Sequence, residues 1–556
     1  MKKRISVFMS RKWLYGAIMI CVVAVGLSSY TLNRSGRLFE ISKNLEIFIN
    51  LYKEVNTNYV EDIDPSKLMK VGIDAMLETL DPFTNYIAES QVEQYRFMSE
   101  GRYHGIGALV NVINGEFVVT EPFEESPAYD AGIKAGDVIL EIDGLPLVDL
   151  NMDEFSAIVK GAPNTEVAVK MRRHGNGEVY ETVVVRSDID IPNVPHFDLI
   201  DNDYAYVNLT TFTPNASGNI AKALRDMKRE NPEFKGIILD LRDNGGGLLQ
   251  EAVRICNLFI PKDLEVVSTR GKVKDWDRSF KTTSNPTYED LPIVVLVNER
   301  SASASEIVSG VLQDYDRGVL IGRRTYGKGL VQNTKEVGYN SRVKVTTAKY
   351  YIPSGRCIQS VSYEDGEPLD IPDSLRGQFK TRAGRLVLDG GGVAPDILMD
   401  EDLSAPFIDF LNDSYIIFNY VTEWTQKHDS IAGPTEFVFE DFDKFKSYAL
   451  KFTDDFESES EAILTELRDI IREEYGDDKS MLSSLQKLEK QLQKTAALEL
   501  EKYKAVLISQ IEEEIIKRYY YQKGRIKYTL KEDPWVVEAT NILKDQKKYS
   551  KILEAQ

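Results

Sequence analysis

The feature that most constrains the fold of this chain is a buried strand that runs directly into a serine-rich turn and a helix. In residues 291–332, LPIVVLVNERSASASEIVSGVLQDYDRGVLIGRRTYGKGLVQ, the run Ile293–Val297 is apolar without interruption. Such a run is typical of a strand covered on both faces, as in a parallel or mixed sheet. The residues after it predict a helix that ends near Gln313. At this junction, unpaired backbone N–H groups gather around Ser303.

A serine in this position is a candidate nucleophile, but its hydroxyl needs a base. None of the four histidines lies in this stretch; they are His104, His174, His196 and His428. A lysine removed from water can act as a free amine instead, and serine–lysine pairs are a known variant. Lys328, between two glycines, is the candidate. Gln332 lies four residues further on, so in a strand it would face the same side and could orient the amine.

The motifs SASASEI, QDYDR, YGKGLVQ and TTAKYYIPSGR, in this order, resemble those of the carboxyl-terminal processing (tail-specific) peptidases. These are serine–lysine endoproteases with an embedded PDZ domain. The resemblance covers roughly residues 40–400, with its core at residues 204–397. By position, it implies that Ser303 is the nucleophile, Lys328 the general base and Gln332 the residue that orients the lysine.

Each of these residues also has an ordinary explanation when it is taken alone. Ser301 and Ser305 flank Ser303, and any of the three serines could be a helix cap. A single lysine or glutamine in a loop is usually solvated. Spacing does not choose among the serines, whereas the resemblance selects the middle one. The order of the motifs favours the catalytic interpretation.

A glycine-rich loop, DNGGG at residues 243–247, lies between the run GIILDLR and a helix predicted over residues 248–259. Glycines at a helix N-terminus can present N–H groups to a developing oxyanion. The resemblance implies that the amides of Gly246 and Ala304 form the oxyanion hole. The family has a proline where Gly245 stands, which predicts a more flexible loop here. A phosphate-binding loop is the alternative, but no P-loop lysine follows.

Residues 103–187 alternate short apolar runs with glycine turns, which predicts a small β-rich domain. The stretch SPAYDAGIKAGDVILEIDG resembles the PDZ signature. In that case the loop Gly105-Ile106-Gly107 would bind a terminal carboxylate through its N–H groups, beside a strand edge that accepts an extended peptide. Ala108 departs from the last position of the common GLGF loop. A simple β-turn is the alternative.

The N-terminus combines a basic flank with an uncharged stretch at residues 13–33; the basic residues are Lys2, Lys3, Arg4, Arg11 and Lys12. This pattern predicts a single-pass anchor with the rest of the chain on the far side of the membrane. Together with the resemblance, it implies a bacterial inner-membrane protein with its catalytic body in the periplasm. A cleaved signal peptide followed by secretion is the alternative, because Gly26 and Ser28 form a small-x-small site.

Charge and cysteine content limit the partners. With 68 Lys and Arg against 88 Asp and Glu, the net charge is −20, and no domain shows the basic stripe of a nucleic-acid-binding protein. The cysteines Cys21, Cys256 and Cys357 share no metal spacing. The resemblance requires no metal or cofactor, and implies protein or peptide substrates with exposed C-termini. A homodimer or an adaptor partner stays open.

The alternation of apolar runs and helices predicts a multidomain α/β architecture with a mixed α/β core, and the resemblance implies that this is a crotonase-like protease core. The predicted segments are a basic flank with an anchor or signal (1–34), N-terminal helices (35–102), an inserted PDZ domain (103–187), the protease core (188–400) and a mostly helical C-terminal extension (401–556). The segment after Pro82 is expected to be helical too. Residues 481–521 predict one long amphipathic helix or a helical pair.

These observations predict an extracytoplasmic serine endopeptidase that recognises substrate tails through its PDZ domain. Two alternatives come from other classes, a catalytically silent PDZ scaffold and a crotonase-like enzyme that acts on acyl thioesters. Intact Ser303, Lys328 and Gln332 disfavour the scaffold, and the PDZ domain disfavours the thioester enzyme. Glu306 and Asp314 accompany the motif and are expected to be structural.

Overall fold

The computed structural model describes residues 38–92, 95, 101–148, 150–359, 363–364, 367–369, 372–399, 405–453, 456, 458–476, 479–492 and 495–555. The expected membrane anchor at residues 13–33 lies outside them. Within the described residues, none of the helices is both long enough and apolar enough to span a bilayer. The described chain forms two compact units, which divide between Asp81 and Pro82.

The first unit contains two helices, α1 (38–58) and α2 (Pro65–Glu78). The side chain of Asp64 caps α2, because its carboxylate accepts hydrogen bonds from the N–H groups of Ser66 (2.8 Å) and Lys67 (3.2 Å). Pro65 occupies the first turn, where its missing N–H costs nothing. The Tyr52 hydroxyl donates to Pro65 O (2.7 Å) and joins the two helices.

Directly after Pro82 the chain forms a strand, which corrects the expectation of a helix there. Strand β1 (Asn85–Ile87) pairs antiparallel with residues 342–344. Pairing with a neighbouring long strand outweighs the local amphipathic pattern. The pairing also places Thr84 next to Thr346, whose N–H donates to the Thr84 hydroxyl (3.2 Å).

A small β-rich body follows, with an antiparallel sheet in the order β3-β4-β5-β7-β8. Its elements are β2 (Arg102–Gly105), β3 (Ala108–Ile113), β4 (Glu116–Pro122), α3 (Pro127–Asp130), β5 (Val138–Ile142), β6 (Leu145–Pro146), α4 (Met152–Val159), β7 (Glu166–Arg172), β8 (Val179–Val185) and β9 (Ser187–Asp190). Helix α4 closes the core of this body, where Phe155 stacks on Phe117 with ring centroids 4.4 Å apart. Strands β2 and β9 pair antiparallel with each other in a separate two-stranded sheet.

The next segment builds a six-stranded sheet and, together with β1, a second sheet of five strands. Its elements are β10 (His196–Ile200), β11 (Tyr204–Asn208), α5 (Ala216–Glu230), β12 (Gly236–Asp240), α6 (Leu249–Cys256), β13 (Glu265–Gly271), β14 (Arg278–Lys281), β15 (Ile293–Val297), α7 (Ala304–Asp314), β16 (Val319–Gly322), β17 (Leu330–Gly338), β18 (Ser341–Tyr351), β19 (Tyr363–Glu364), β20 (Glu367–Pro368), β21 (Gln378–Lys380), β22 (Leu386–Leu388) and β23 (Ile397–Leu398).

The six-stranded sheet has the order β10-β11-β12-β15-β16-β23 and is parallel except for β10. All five residues of β15 are fully buried, so the strand predicted from the apolar run is confirmed. Helices α5, α6 and α7 cover one face of this sheet. In the second sheet β18 is central, and β17 forms a long hairpin with it.

The C-terminal region is helical, as predicted. Its helices are α8 (Pro406–Asp413), α9 (Ile416–Thr425), α10 (Phe442–Ala449), α11 (Glu459–Tyr475), α12 (Lys479–Leu492), α13 (Thr495–Lys502), α14 (Lys504–Thr529), α15 (Pro534–Lys544) and α16 (Gln546–Leu553). Within residues 481–521, the described residues belong to α12, α13 and α14, and Tyr503 separates the last two, so this stretch is not one continuous helix. Helix α14 is itself kinked at Tyr521, whose φ of 53° is not helical.

The last two helices, α15 and α16, cover the second face of the six-stranded sheet. Strand residues that point away from α5–α7, such as Ile238 and Leu296, pack against Ala539, Ile542 and Leu543. The Tyr549 hydroxyl of α16 also donates to Ile293 O (3.1 Å) at the start of β15. A parallel sheet needs cover on both faces, so residues far beyond 400 complete the core of this fold.

Truncating Leu543 tests this layer. Its side chain is 1% exposed and lies against Gly236 of β12, so Leu543→Ala should lower the free energy of unfolding by about 2–5 kcal/mol. Val537 on the same helix is 49% exposed, so Val537→Ala should change it by less than about 0.5 kcal/mol. Urea unfolding followed by tryptophan fluorescence compares the two variants. Equal midpoints would show that α15 is not part of the core.

Candidate active site

Ser303 lies where the turn after β15 enters α7. Its backbone has φ 57° and ψ −110°, a region that non-glycine residues rarely occupy and that stores strain. Its N–H donates to Glu306 Oε2 (2.7 Å), so the strained turn is held by a side chain from the first turn of the helix. The Ser303 side chain is half-buried.

The structure distinguishes the three serines that spacing could not separate. Ser301 and Ser305 are completely buried, and their hydroxyls donate to Leu241 O (2.8 Å) and Asn244 O (2.8 Å). Both therefore fasten the turn to the loop that follows β12. Of the three, Ser303 is the serine that is not fully buried, which makes it the accessible hydroxyl of this turn.

Lys328 lies in the loop between β16 and β17 and is half-buried. Its Nζ is 4.5 Å from the centroid of the Phe83 ring, which covers one side of the amine. The backbone N–H of Lys328 donates to Glu306 Oε2 (2.9 Å), the same oxygen that accepts the backbone N–H of Ser303. The backbones of the predicted nucleophile and the predicted base are therefore held by one carboxylate.

Glu306 is completely buried and accepts four hydrogen bonds. The other two donors are the Thr325 hydroxyl (2.6 Å) and the Gly327 N–H (2.7 Å), both to Oε1. Burial raises the pKa of Glu306 to about 7, and these four hydrogen bonds oppose the rise. The residue was expected to order the helix, and the structure shows that it also orders the lysine loop.

Tyr350 makes a second connection between the same two backbones. Its hydroxyl, on β18, is 3.1 Å from Ser303 O and 2.5 Å from Lys328 O. The ring is 1% exposed, so this hydroxyl is fixed by packing. A phenol has one proton and donates to one carbonyl at a time. Both carbonyl oxygens nevertheless lie within hydrogen-bonding distance of the Tyr350 hydroxyl.

Gln332 does not have the strand relationship to Lys328 that the sequence suggested. Lys328 precedes β17, so the alternation of side chains within that strand does not extend to it. The register shift beside Gln332 is a bulge in β18, because Val331 pairs with Ala348 and Gln332 with Thr346. Among the described contacts, the Gln332 amide nitrogen donates to Thr346 Oγ1 (3.3 Å). Thr346 in turn lies against Thr84.

The glycine loop lies directly against the nucleophile turn. A Cβ at Gly246 would lie 2.8 Å from Ser303 Cβ and 2.9 Å from Ala304 N, and its φ is +99°, so glycine is required there. The Gly246 N–H, however, donates to Asn244 Oδ1 (2.9 Å). The structure thus places both predicted oxyanion donors next to Ser303, with that of Gly246 already engaged.

The predicted tail-binding loop lies between β2 and β3. Its carbonyls point into the small β-rich body, where Ile106 O accepts from Ala128 N (2.7 Å) and Gly107 O from Ser126 Oγ (2.8 Å). The Tyr103 ring lies on Gly105. Burial raises the pKa of Tyr103 to about 12, and hydrogen bonds from the N–H groups of Gly107 and Ala108 to its hydroxyl oppose the rise. The N–H groups of Gly107 in this loop and of Ala108, the first residue of β3, therefore have a phenol of the same chain as their acceptor.

Asp314 is structural, as expected. Its carboxylate is buried and lies 2.9 Å from the Arg356 guanidinium, and it also accepts the Ser354 N–H (2.9 Å). These contacts join the end of α7 to the turn after β18. Sequence reasoning did not find Phe83, Tyr350 or Asn244, although Tyr350 lies within the motif TTAKYYIPSGR.

Three family models match the chain. Peptidase family S41 matches residues 203–365, the PDZ domain matches residues 118–173, and the C-terminal helical domain of probable PDZ-proteases matches residues 407–543. The first contains Ser303, Lys328 and Gln332, and the second lies within the small β-rich body.

Individual relatives agree with these matches. A carboxy-terminal-processing protease of Bartonella bacilliformis is 33% identical over 366 residues, which are 65% of this chain and 83% of that protein. A probable CtpA-like serine protease of Staphylococcus aureus is 34% identical over 364 residues, 65% of this chain and 72% of that protein. Among solved structures, the photosystem II D1 C-terminal processing protease is 24% identical, with 65% of this chain and 94% of that chain covered and a TM-score of 0.36. The chain belongs to the carboxy-terminal-processing proteases, peptidases of family S41 that carry a PDZ domain.

Proposed function

We propose that this chain is a serine endopeptidase that binds the C-terminal tail of a protein substrate and cuts its peptide bonds with a Ser303–Lys328 dyad. Lys328 takes the proton of Ser303 as the hydroxyl oxygen attacks the scissile carbonyl, and then gives that proton to the leaving amine. Water hydrolyses the resulting acyl-enzyme by the same proton transfers. Gln332, on β17, is proposed to orient the amine of Lys328, a role that the family resemblance supports.

The observation that carries this proposal is the double connection between the two backbones. Glu306 Oε2 accepts the N–H groups of Ser303 and Lys328, and the Tyr350 hydroxyl lies beside the carbonyl oxygens of the same two residues. Two buried groups that hold one serine turn and one lysine loop together favour a role for the pair as a unit. The strain at Ser303 also supports function at this residue.

The amides of Ala304 and Gly246 are proposed to hold the oxyanion, since both lie against Ser303. Because the Gly246 N–H donates to Asn244 Oδ1, its use requires Asn244 to release it when the substrate carbonyl enters. Removing one such donor typically lowers kcat by about 10²–10³-fold. This exchange would keep the site inactive until a substrate is bound.

The PDZ domain is proposed to capture the substrate tail, with its terminal carboxylate on the N–H groups of the Gly105–Gly107 loop and its backbone along the free edge of β3. Strand β3 pairs with β4 on one side in the described sheet, so its other side can accept an added strand. Leu109 and Val112 on β3 are exposed, which suits an apolar tail.

The catalytic body is proposed to lie in the bacterial periplasm, attached to the inner membrane by residues 13–33, with secretion after cleavage as the alternative. The basic flank and the uncharged stretch support this placement. Digestion by added protease in spheroplasts but not in intact cells is the expected result. Digestion only after the spheroplasts are lysed would reject the placement.

Replacing either member of the dyad should abolish cleavage. With the full chain in detergent and an unfolded model protein that ends in apolar residues, Ser303→Ala and Lys328→Ala should each lower turnover by roughly 10³-fold or more. Lys335→Ala, an exposed lysine on β17, is the control and should retain activity. Cleavage by Ser303→Ala would refute the choice of nucleophile, and an inert parent would favour the scaffold alternative.

The raised pKa of Glu306 predicts opposite effects of pH on the stability and on the peptidase activity of the chain. Its pKa in the folded chain is about 7, above the ordinary value of 4.5, so its contribution to stability is present below pH 4.5 and is lost as the pH rises through 7. A protonated carboxyl cannot accept all four hydrogen bonds, so peptidase activity should rise over the same interval. From pH 5 to pH 8, the stability of the parent should fall relative to Glu306→Gln, by on the order of 2–3 kcal/mol at most.

Thermal unfolding and peptidase assays at both pH values measure these effects. Glu306→Gln should also lose activity, by about tenfold or more, because its NH₂ group faces N–H donors. Glu336→Gln, at an exposed position of β17, should match the parent in both assays. A parent and a Glu306→Gln variant with parallel stability profiles would show that Glu306 does not titrate in this range.

Removing the Tyr103 hydroxyl should strengthen tail binding. Because that hydroxyl contacts the Gly107 and Ala108 amides, Tyr103→Phe frees them for a substrate carboxylate. Anisotropy of a labelled apolar peptide, measured in the Ser303→Ala background, should show a Kd lower by about three- to tenfold. The same peptide with an amidated C-terminus should show no gain. Weaker binding of the free acid would mean that the hydroxyl helps to bind tails.

A further inference from the structure

Arg242, the second residue of the loop after β12, carries a largely buried guanidinium with two carboxylate partners. Arg242 Nε lies 3.0 and 3.1 Å from the two oxygens of Asp240, and Nη2 lies 2.5 Å from Asp240 Oδ2 and 2.7 Å from Asp533 Oδ2. The Trp535 ring faces the guanidinium, with its centroid 5.3 Å from Cζ. Two of these partners come from the C-terminal region, almost 300 residues away.

Arg242 and Asp240 together set the first turn after β12. Asp240 Oδ1 accepts the Arg242 N–H (3.0 Å), and Asp240 Oδ2 accepts the buried Tyr206 hydroxyl (2.7 Å). The side chain of Arg242 thus donates to the same carboxylate that accepts the backbone N–H of Arg242. Any change in the position of the guanidinium is transmitted to the turn.

This turn leads directly to the nucleophile. Two residues further on, Asn244 O accepts from Ala302 N (3.0 Å) and from Ser305 Oγ (2.8 Å), on either side of Ser303. The Asn244 side chain accepts the Gly246 N–H (2.9 Å). The loop that contains Arg242 therefore carries a proposed oxyanion donor and is hydrogen-bonded to both flanks of Ser303.

Asp533 uses its two oxygens for different purposes. Oδ1 caps α15 by accepting the N–H groups of Trp535 (2.9 Å) and Val536 (3.3 Å), while Oδ2 binds Arg242 (2.7 Å). Because α15 packs on the second face of the central sheet, Asp533 is a fixed point. Arg242 and Asp533 also line a cleft of ≈ 960 Å³ that is open to solvent.

We propose that Asp533 is a positioning residue for the peptidase reaction. It fixes the guanidinium of Arg242 and, through it, the loop that places Gly246 against Ser303. The C-terminal helical region thereby contributes to the geometry of the active site as well as to the stability of the core. This inference rests on the proposed Ser303–Lys328 mechanism.

Asp533→Asn separates the two uses of the carboxylate. Asparagine is as good a helix cap as aspartate, so α15 is retained, but its NH₂ group faces the Arg242 donors and the ionic contact is lost. In the full-length protein, kcat on the unfolded model substrate should fall about tenfold, with KM within twofold of the parent and Tm within a few degrees. Asp533→Ser, which also keeps a cap and removes the charge, should behave in the same way.

Glu532→Gln is the matched control, since it removes a negative charge from the exposed neighbouring residue, and it should leave kcat unchanged. A folded Asp533→Asn or Asp533→Ser protein with kcat within twofold of the parent would overturn the proposal. If neither variant folds, Asp533 is a stability residue and the positioning role is rejected. Ser303→Ala, assayed beside them, reports separately on the proposed function, because residual cleavage by that variant would refute the dyad whatever the result for Asp533.

Discussion

The structure of the active site depends on one buried carboxylate. Burying a carboxylate without partners is strongly unfavourable, and the fold accommodates the charged form of Glu306 because four donors converge on it. Two of those donors are the backbone N–H groups of Ser303 and Lys328. The need to satisfy Glu306 therefore determines where the lysine loop lies relative to the serine turn, and it does so from within the first turn of the helix that follows the serine.

Residues from distant parts of the chain converge on this centre. Phe83 and Thr84 immediately precede β1. Phe83 lies beside Lys328, and Thr84 lies beside Thr346. Asp533, which caps α15, forms an ion pair with Arg242 in the loop after β12. Both contributions follow from the way the sheets are covered, since β1 extends the second sheet and α15 covers the open face of the first. The site is thus the meeting point of the layers rather than the property of one segment.

Much of this could be predicted from the sequence, because the decisive signals are local. The apolar run of β15, the serine turn and the glycine loop each show their type within a few residues. The remainder depends on contacts between distant segments, which no local pattern encodes. Phe83 was hidden by an amphipathic pattern that pairing with β18 overrides. Lys328 lies in the loop before β17, so the strand alternation that placed Gln332 near it does not apply there. The amphipathic pattern of α15 indicates that one face of the helix is buried, but it does not show that this face packs on the six-stranded sheet.

The two loops proposed to bind substrate share a physical property in this structure. The Gly246 N–H is bonded to Asn244, and the amides of Gly107 and Ala108 contact the Tyr103 hydroxyl. An unpaired buried donor costs about 1–3 kcal/mol, whereas replacing one acceptor by another of similar strength is nearly neutral. A substrate carbonyl or carboxylate that displaces these acceptors therefore exchanges hydrogen bonds instead of creating them. The same contacts that keep the empty site stable also make its occupation reversible, because release of the substrate restores them.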